Sequence, residues 1–148
     1  VTVFGTGAWG STMAQVLHDA GNDVLLWGRS ADVVDEINTS HTNQKYLDAH
    51  VLPANLKATS DLKAAFAHSH VYVLAIPAQQ LRTMLAEWKP LVADNAIVVS
   101  TLKGIEISTQ MRMTEIIEEM WGVTKVGVIT GPNLADELVL RQPAGAET

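Results

Sequence analysis

The chain opens with Val1-Thr2-Val3-Phe4-Gly5-Thr6-Gly7-Ala8-Trp9-Gly10. A short, mostly apolar run leads directly into glycines spaced G-x-G-x-x-G, and a helix-like pattern continues over residues 11–20. In a turn between a buried strand and a helix, each glycine has a mechanical purpose. Gly5 permits the tight turn, Gly7 lets a ligand approach the backbone, and Gly10 lets the helix pack closely on the sheet. This context predicts a turn that binds the diphosphate of a dinucleotide.

The composition is that of one globular domain. The chain has 148 residues, of which 47% are hydrophobic and 18% charged, and its net charge is −6. Because no run of basic residues occurs, we expect no binding to nucleic acid or to an anionic membrane surface. The chain has no cysteine, which excludes disulfides and thiolate metal sites and agrees with a cytoplasmic location. The longest apolar strand, 71–78, is shorter than the ~20 residues that span a membrane.

Apolar strands and amphipathic helices alternate along the chain. Strands are expected at 1–4, 23–27, 56–59, 71–76, 96–101 and 126–129. Helices are expected at 11–20, 30–37, 61–68, 81–88, 109–121 and 134–140, with a polar loop over 38–55 and an approach to a further strand over 143–148. In the first helix, Met13, Val16 and Leu17 are expected to lie on one face. The alternation predicts an α/β fold: a doubly wound parallel sheet with helices on both faces, which binds ligands at the carboxyl ends of its strands.

The end of the second expected strand, Trp27-Gly28-Arg29-Ser30, bears on coenzyme choice. NAD-specific sites usually place an acid there, about 20 residues into the unit, to accept hydrogen bonds from the ribose hydroxyls. This chain has no acid before Asp32, and the Arg29 guanidinium suits a 2′-phosphate or stacking on adenine. The sequence therefore favours NADP over NAD. In the alternative interpretation, Arg29 is an ordinary surface arginine and NAD binds without an acidic partner.

Two more segments follow expected strands. Lys103-Gly104 follows the fifth strand, and Gly131-Pro132-Asn133 follows the sixth and opens a helix whose amides suit an anion. Position alone favours a solvated lysine and a plain N-cap at Asn133. The five histidines show no metal-ligand spacing, and the pairs Glu118-Glu119 and Asp136-Glu137 are expected on solvated helix faces. We therefore expect no metal site.

Taken together, these segments resemble the bacterial-type NAD(P)-dependent glycerol-3-phosphate dehydrogenases. The matching segments are Gly5-Thr6-Gly7-Ala8-Trp9-Gly10, Leu26-Trp27-Gly28-Arg29, Ile37-Asn38 with Asn43 and Tyr46-Leu47, Leu52-Pro53, Ala58-Thr59-Ser60-Asp61-Leu62, Ile76-Pro77 with Arg82, Lys103-Gly104-Ile105-Glu106, and Gly131-Pro132-Asn133-Leu134-Ala135. Single motifs are shared with many dinucleotide enzymes, whereas the ordered set is specific. It raises Lys103 and Gly131–Asn133 above what their positions alone suggest.

The resemblance implies a Rossmann-type domain and reversible hydride transfer that converts dihydroxyacetone phosphate to sn-glycerol 3-phosphate for phospholipid synthesis. The coenzyme contacts that it implies are Gly5, Gly7, Ala8, Trp9, Gly10, Arg29, Tyr46, Pro77, Lys103 and Ala135. It also implies contacts to the small phosphate substrate from Lys103, Gly131 and Asn133. The Lys103 cation would stabilise oxyanion character on the carbonyl or help to hold the phosphate.

The sequence departs from the family at single residues and in length. Alanine replaces a usual serine at positions 8 and 78 and a usual threonine at 144, and Asn133 replaces a serine or threonine. The family also carries a second, helical domain with the catalytic lysine and most substrate contacts. We therefore expect residues 1–148 to be the coenzyme-binding half of a larger enzyme, with no catalytic residue, weak NADPH binding and no measurable turnover. The sequence leaves the oligomeric state open, and a homodimer would form through the missing domain.

Two alternatives remain. The first is another two-domain NADP-dependent reductase of the ketopantoate or hydroxyacid type, against which Lys103-Gly104-Ile105-Glu106 argues. The second is a nucleotide-sensing module without catalysis, which a stop codon after residue 148 in the natural reading frame would support.

Overall fold

Six parallel strands form one sheet in the computed structural model, which describes residues 1–145. The strands are β1 (Thr2–Phe4), β2 (Leu25–Trp27), β3 (Lys57–Thr59), β4 (Val71–Leu74), β5 (Ile97–Ser100) and β6 (Lys125–Val128). The helices are α1 (Ala8–Asp19), α2 (Ala31–Ser40), α3 (Gln44–Leu47), α4 (Leu62–His68), α5 (Leu81–Trp88), α6 (Met113–Trp121) and α7 (Ala135–Val139). The order in the sheet is β3-β2-β1-β4-β5-β6, so the winding direction reverses between β1 and β4. The predicted doubly wound, Rossmann-type sheet is confirmed.

Buried apolar residues cover both faces of the sheet, as a parallel sheet requires. One face is formed by Val3, Leu26 and Val73 and packs on residues of α1, α2 and α7. The opposite face packs on α4, α5 and α6. At its centre lies an aromatic cluster formed by Phe4, Trp27, Phe66, Tyr72, Trp88 and Trp121. Its ring centroids lie 4.6 to 6.3 Å apart, mostly in tilted or edge-to-face pairs, which are favourable for aromatic rings.

The first helix differs from the prediction at its start and on its packed face. It begins at Ala8, inside the glycine-rich turn, because Gly7 is already its N-cap. Of the residues expected on one face, Met13 is 6% exposed, whereas Val16 is 37% exposed, so this face is not uniformly buried. Half of the buried residues of this helix are polar, and Gln15 is an example. Its side chain is fully buried and hydrogen-bonds the Val139 carbonyl and His50, each at 2.8 Å.

The polar stretch 38–55 is not entirely a loop. The second helix continues to Ser40, and α3 forms over Gln44–Leu47. Four residues make a weak helix by themselves, and this one is held by the buried side chains of Asn43 before it and Leu47 at its end. The sixth helix starts at Met113 rather than at residue 109, because Gln110 adopts a φ of +60° that breaks the helix.

Residues 143–145 form neither helix nor strand, and residues 146–148, where a further strand was expected to approach, lie outside the described part. Within residues 1–145, no helix has the length and apolar character needed to cross a bilayer.

Candidate functional site

Two adjoining clefts lie at the carboxyl ends of β1, β2, β4 and β5. The larger has a volume of about 560 Å³ and is lined by Gly5, Thr6, Gly7, Ala8, Trp9, Gly10, Trp27, Gly28, Arg29, Ser30, Val33, Lys45, Tyr46, Ala75, Ile76, Pro77 and Met84. The smaller, of about 350 Å³, is lined by Trp9, Ala75, Ile76, Ala78, Thr101, Leu102 and Lys103. Because they share Trp9, Ala75 and Ile76, we describe them together as the groove. It crosses the point where the strand order reverses, which is where open α/β sheets bind ligands.

Two glycines of the opening turn are required by the fold itself. Gly5 has a φ of +122°, and a Cβ there would lie 2.3 Å from the Ala75 carbonyl oxygen. A Cβ on Gly10 would lie 1.9 Å from the Gly5 carbonyl oxygen. Both distances are far below van der Waals contact. The turn, the start of α1 and the end of β4 therefore fit together only without these side chains.

Gly7 is different, because nothing in the fold requires a glycine there. Its φ of −69° and ψ of −179° are accessible to any residue, and a Cβ would meet no atom within 4 Å. It is the N-cap of α1, and no side chain caps the first amides of this helix. Uncapped amides and the positive end of a helix dipole favour an anion. The open space beside Gly7 therefore fits a diphosphate.

Asn43 connects the glycine-rich turn to the start of α1, a function that the sequence does not reveal. This buried side chain donates from Nδ2 to the Thr6 carbonyl at 2.8 Å and to Ser11 Oγ at 3.0 Å. An asparagine in a polar stretch carries no local signal of such a contact. The helix after Asn43 brings the predicted Tyr46 to the groove, together with Lys45, whose Nζ lies 5.2 Å from the Tyr46 ring centroid.

The charge of the groove suits a phosphate ligand. Arg29, Lys45 and Lys103 are among the described residues that line it, and none of those residues is acidic. Arg29 is exposed, and its Nη2 donates to the side-chain oxygen of Gln80 at 3.3 Å. A local cluster of cations and backbone amides can bind an anion in spite of the net charge of −6.

The predicted substrate positions are only partly assembled. Lys103 Nζ donates to the Gly131 carbonyl at 3.2 Å, so these two positions meet beside the smaller cleft. Asn133 instead donates to the Gly145 carbonyl, and Ala135 begins α7. Within residues 1–145, neither Asn133 nor Ala135 lines either cleft. Their ligand contacts stay predictions.

A charged network lies next to the smaller cleft. Arg82 donates to both carboxylate oxygens of Glu106, and its Nη1 donates to Glu119 at 3.1 Å. Glu119 lies on a solvated helix face, as expected, with 52% of its side chain exposed, and it also forms an ion pair between α5 and α6. Hydrogen bonds from Arg82 and then Thr109 hold the pKa of Glu106 below its ordinary value, in spite of the burial of the carboxylate.

Acid should weaken this network. A carboxylate with a lowered folded pKa stabilises the fold above its unfolded pKa, and this contribution is lost as the pH falls through the folded value. We therefore expect the melting-temperature gap between wild type and Glu106→Gln to be constant above the ordinary pKa of 4.5 and to narrow below it. Melting curves between about pH 7 and about pH 3 test this, and a gap that stays constant throughout would contradict it.

The doubly wound sheet and the groove at its switch point define a dinucleotide-binding domain. A family model described as "NAD-dependent glycerol-3-phosphate dehydrogenase N-terminus" matches residues 1–147. The chain belongs to this family. The match does not favour the alternatives of another reductase type or a nucleotide-sensing module.

Named relatives agree with the family match. Over 146 residues, the chain is 47% identical to a glycerol-3-phosphate dehydrogenase [NAD(P)+] of Streptomyces avermitilis and 45% identical to one of Mycobacterium tuberculosis. These alignments cover 97% of this chain and 44% of each relative, so the chain spans less than half the length of these relatives. The crystal structure of glycerol-3-phosphate dehydrogenase from Coxiella burnetii matches with a TM-score of 0.88 and 29% identity, over 98% of this chain and 44% of that one. A pyrroline-5-carboxylate reductase from the same organism shares the fold alone, with a TM-score of 0.67 and 18% identity over 91% of this chain and 44% of that one.

Proposed function

We propose that this chain is the coenzyme domain of an NAD(P)-dependent glycerol-3-phosphate dehydrogenase and binds NAD or NADP in the groove. The observation that carries the proposal is Gly7. Its backbone conformation and empty surroundings leave no folding reason for a glycine, and it caps a helix whose first amides face no side-chain partner. A diphosphate that must come close to the backbone supplies the missing reason.

The rest of the coenzyme follows the two clefts. In this proposal, the adenosine end occupies the larger cleft, which Arg29, Tyr46 and Pro77 line. The nicotinamide end occupies the smaller cleft, between Trp9 and Lys103. The residues therefore fit an extended dinucleotide that crosses the sheet from the end of β2 to the end of β5.

When bound, the reduced nicotinamide supplies the hydride that, with one proton, converts the carbonyl of dihydroxyacetone phosphate to the alcohol of sn-glycerol 3-phosphate. Lys103 contributes a positive charge at this end of the groove, where it holds the anionic substrate or stabilises negative charge on the carbonyl oxygen. Gly131 orients this lysine through its carbonyl. The proposal also includes a contact of Asn133 with the substrate and of Ala135 with the coenzyme, a homodimer and a cytoplasmic location. It places the proton donor and the dimer interface in a helical domain that residues 1–148 do not include.

The test is a titration of the nitrogen-labelled chain with NADPH and NADH, followed by amide resonances. We expect saturable shifts at residues 5–10, at Tyr46 and at Lys103, and small changes in α6 and β6, which contribute no lining residue to either cleft. Saturation without shifts in the glycine-rich turn, or no shifts at all, would overturn the proposal.

We further propose that NADP is preferred, because Arg29 lines the larger cleft and no acid does so among the described residues. Arg29→Asp should remove a charge-assisted contact to the 2′-phosphate and raise the NADPH Kd about 30-fold, while the NADH Kd changes less than about threefold. Arg112→Asp makes the same charge change at an exposed residue outside the groove and serves as the control. Equal losses for both coenzymes in Arg29→Asp would show that this arginine does not distinguish them.

A further inference from the structure

The segment between β5 and α6, residues 101–112, carries Lys103 and has little regular structure. It contains two positive φ angles, +92° at Gly104 and +60° at Gln110. Its internal hydrogen bonds join Glu106 to Met111 and Gln110 to Glu106 through the backbone, at 2.9 and 2.8 Å. These bonds close the far end of the segment but do not reach Lys103. The position of this lysine therefore depends on contacts with other elements.

Arg82, on α5, makes a bidentate, charge-assisted contact with this segment. Its Nε and Nη2 donate to the two carboxylate oxygens of Glu106 at 3.0 and 3.1 Å, a fork that only an arginine provides. Glu106 is 7% exposed and also accepts the Thr109 hydroxyl. The third arm of the guanidinium donates to Glu119, which ties the segment to α6 as well.

Gln79 hydrogen-bonds the backbone of the same segment on either side of Glu106. Its Nε2 donates to the Ile105 carbonyl at 3.0 Å, and its Oε1 accepts the Ile107 amide at 3.2 Å. This glutamine lies in the connection between β4 and α5, beside the Pro77 and Ala78 that line the groove. The short stretch from Pro77 to Arg82 therefore both lines the groove and anchors the segment that carries Lys103.

We propose that Arg82, acting through Glu106 and together with Gln79, is a positioning residue that sets Lys103 at the nicotinamide end of the groove. The inference rests on the proposed function and extends it to residues that touch no ligand. A purely structural ion pair would lower stability without changing the affinity for NADPH relative to that for a ligand that does not reach Lys103. A positioning contact affects the 103–111 segment and the part of the ligand that Lys103 faces.

The experiment compares Arg82→Met, Arg82→Lys and Gln79→Ala with wild type in two measurements. The first is amide hydrogen exchange of residues 103–111. The second is the Kd for NADPH and for 2′-phospho-ADP-ribose, which lacks the nicotinamide. Arg112→Met is the matched control, because it removes an exposed ion pair with Glu115 at the end of the same segment.

In Arg82→Met we expect exchange in 103–111 to accelerate about tenfold and the NADPH Kd to rise about tenfold, since binding then has to order the segment. The Kd for 2′-phospho-ADP-ribose should stay within about twofold of wild type, because the adenosine end keeps its contacts. Arg82→Lys should resemble Arg82→Met, because one ammonium cannot replace the fork. Arg112→Met should leave both measurements unchanged.

Unchanged exchange over 103–111 in a folded Arg82 variant would overturn the inference, and so would equal losses for the two ligands. If Arg82→Met does not fold, Gln79→Ala decides, because it keeps the ion pair and removes only the two backbone contacts. Wild-type chain that binds neither ligand would refute the proposed coenzyme site and this inference with it. Normal wild-type binding with unaltered NADPH affinity in the variants would refute the inference alone.

Discussion

Replacing Gly7 with alanine should abolish most coenzyme binding and leave the fold intact. The φ of −69° suits alanine, and the new methyl group meets no protein atom within 4 Å. It occupies the space where a diphosphate would approach the amides of the first helical turn. Loss of these charge-assisted hydrogen bonds corresponds to about 3 kcal/mol, or about 100-fold in the NADPH Kd.

The measurement is a calorimetric titration of both proteins with NADPH, together with thermal melts. Alanine is a poorer N-cap than glycine but restricts the unfolded chain more, so the melting temperature should stay within about 3 °C of wild type. Gly127→Ala is the matched control: its Cβ also meets nothing within 4 Å, and it lies in β6, away from the groove. Wild-type affinity in Gly7→Ala would refute the placement of the diphosphate.

The same substitution three residues later should have the opposite effect. Alanine at Gly10 places a Cβ 1.9 Å from the Gly5 carbonyl oxygen and 2.9 Å from its carbon. Alanine is the better helix former by about 1 kcal/mol, but neither the helix nor the turn can move without disturbing the sheet. We expect a net loss of about 3 kcal/mol and a melting temperature about 6–12 °C lower.

Thermal and urea unfolding measure this loss, with Gly7→Ala as the internal reference for the same chemical change in the same turn. A Gly10→Ala protein as stable as wild type would show that α1 does not pack against the turn as closely as the structure has it. The pair of variants separates a glycine that the fold requires from one that the ligand requires.

The sequence predicts the fold well because the central strands of the sheet are buried on both faces. Runs such as 71–76 and 96–99 are apolar throughout, and the intervening helices carry apolar residues at helical spacing. The prediction fails where tertiary contacts override the local pattern. Val16 fits a helical stripe but is exposed, because α1 instead buries polar groups that find partners in Asn43, His50 and Val139. The short helix α3 was not predicted because the tertiary contacts of the buried Asn43 and Leu47 stabilise it.

The groove is predictable where a residue stands next to a strand end and not where it acts through a distant partner. The glycine-rich turn, Arg29 and Lys103 directly follow strands, so the topology brings them to one edge. The contact of Asn43 with Thr6 spans 37 residues, and that of Arg82 with Glu106 spans 24. The resemblance marked these residues as typical of the family, but only the structure shows what they hold.

The aromatic cluster gives this protein two separate optical reporters. Three of the four tryptophans lie in the cluster, where neighbouring rings couple their electronic transitions and dominate the near-ultraviolet circular dichroism. The fourth, Trp9, lines both clefts, whereas Trp27 lines only the larger one, so we expect the emission of Trp9 to respond to a ligand in either cleft. In the ligand-free protein, a variant with weaker near-ultraviolet dichroism has a loosened interior. A variant that keeps this dichroism but whose fluorescence is no longer quenched by NADPH has lost coenzyme binding alone.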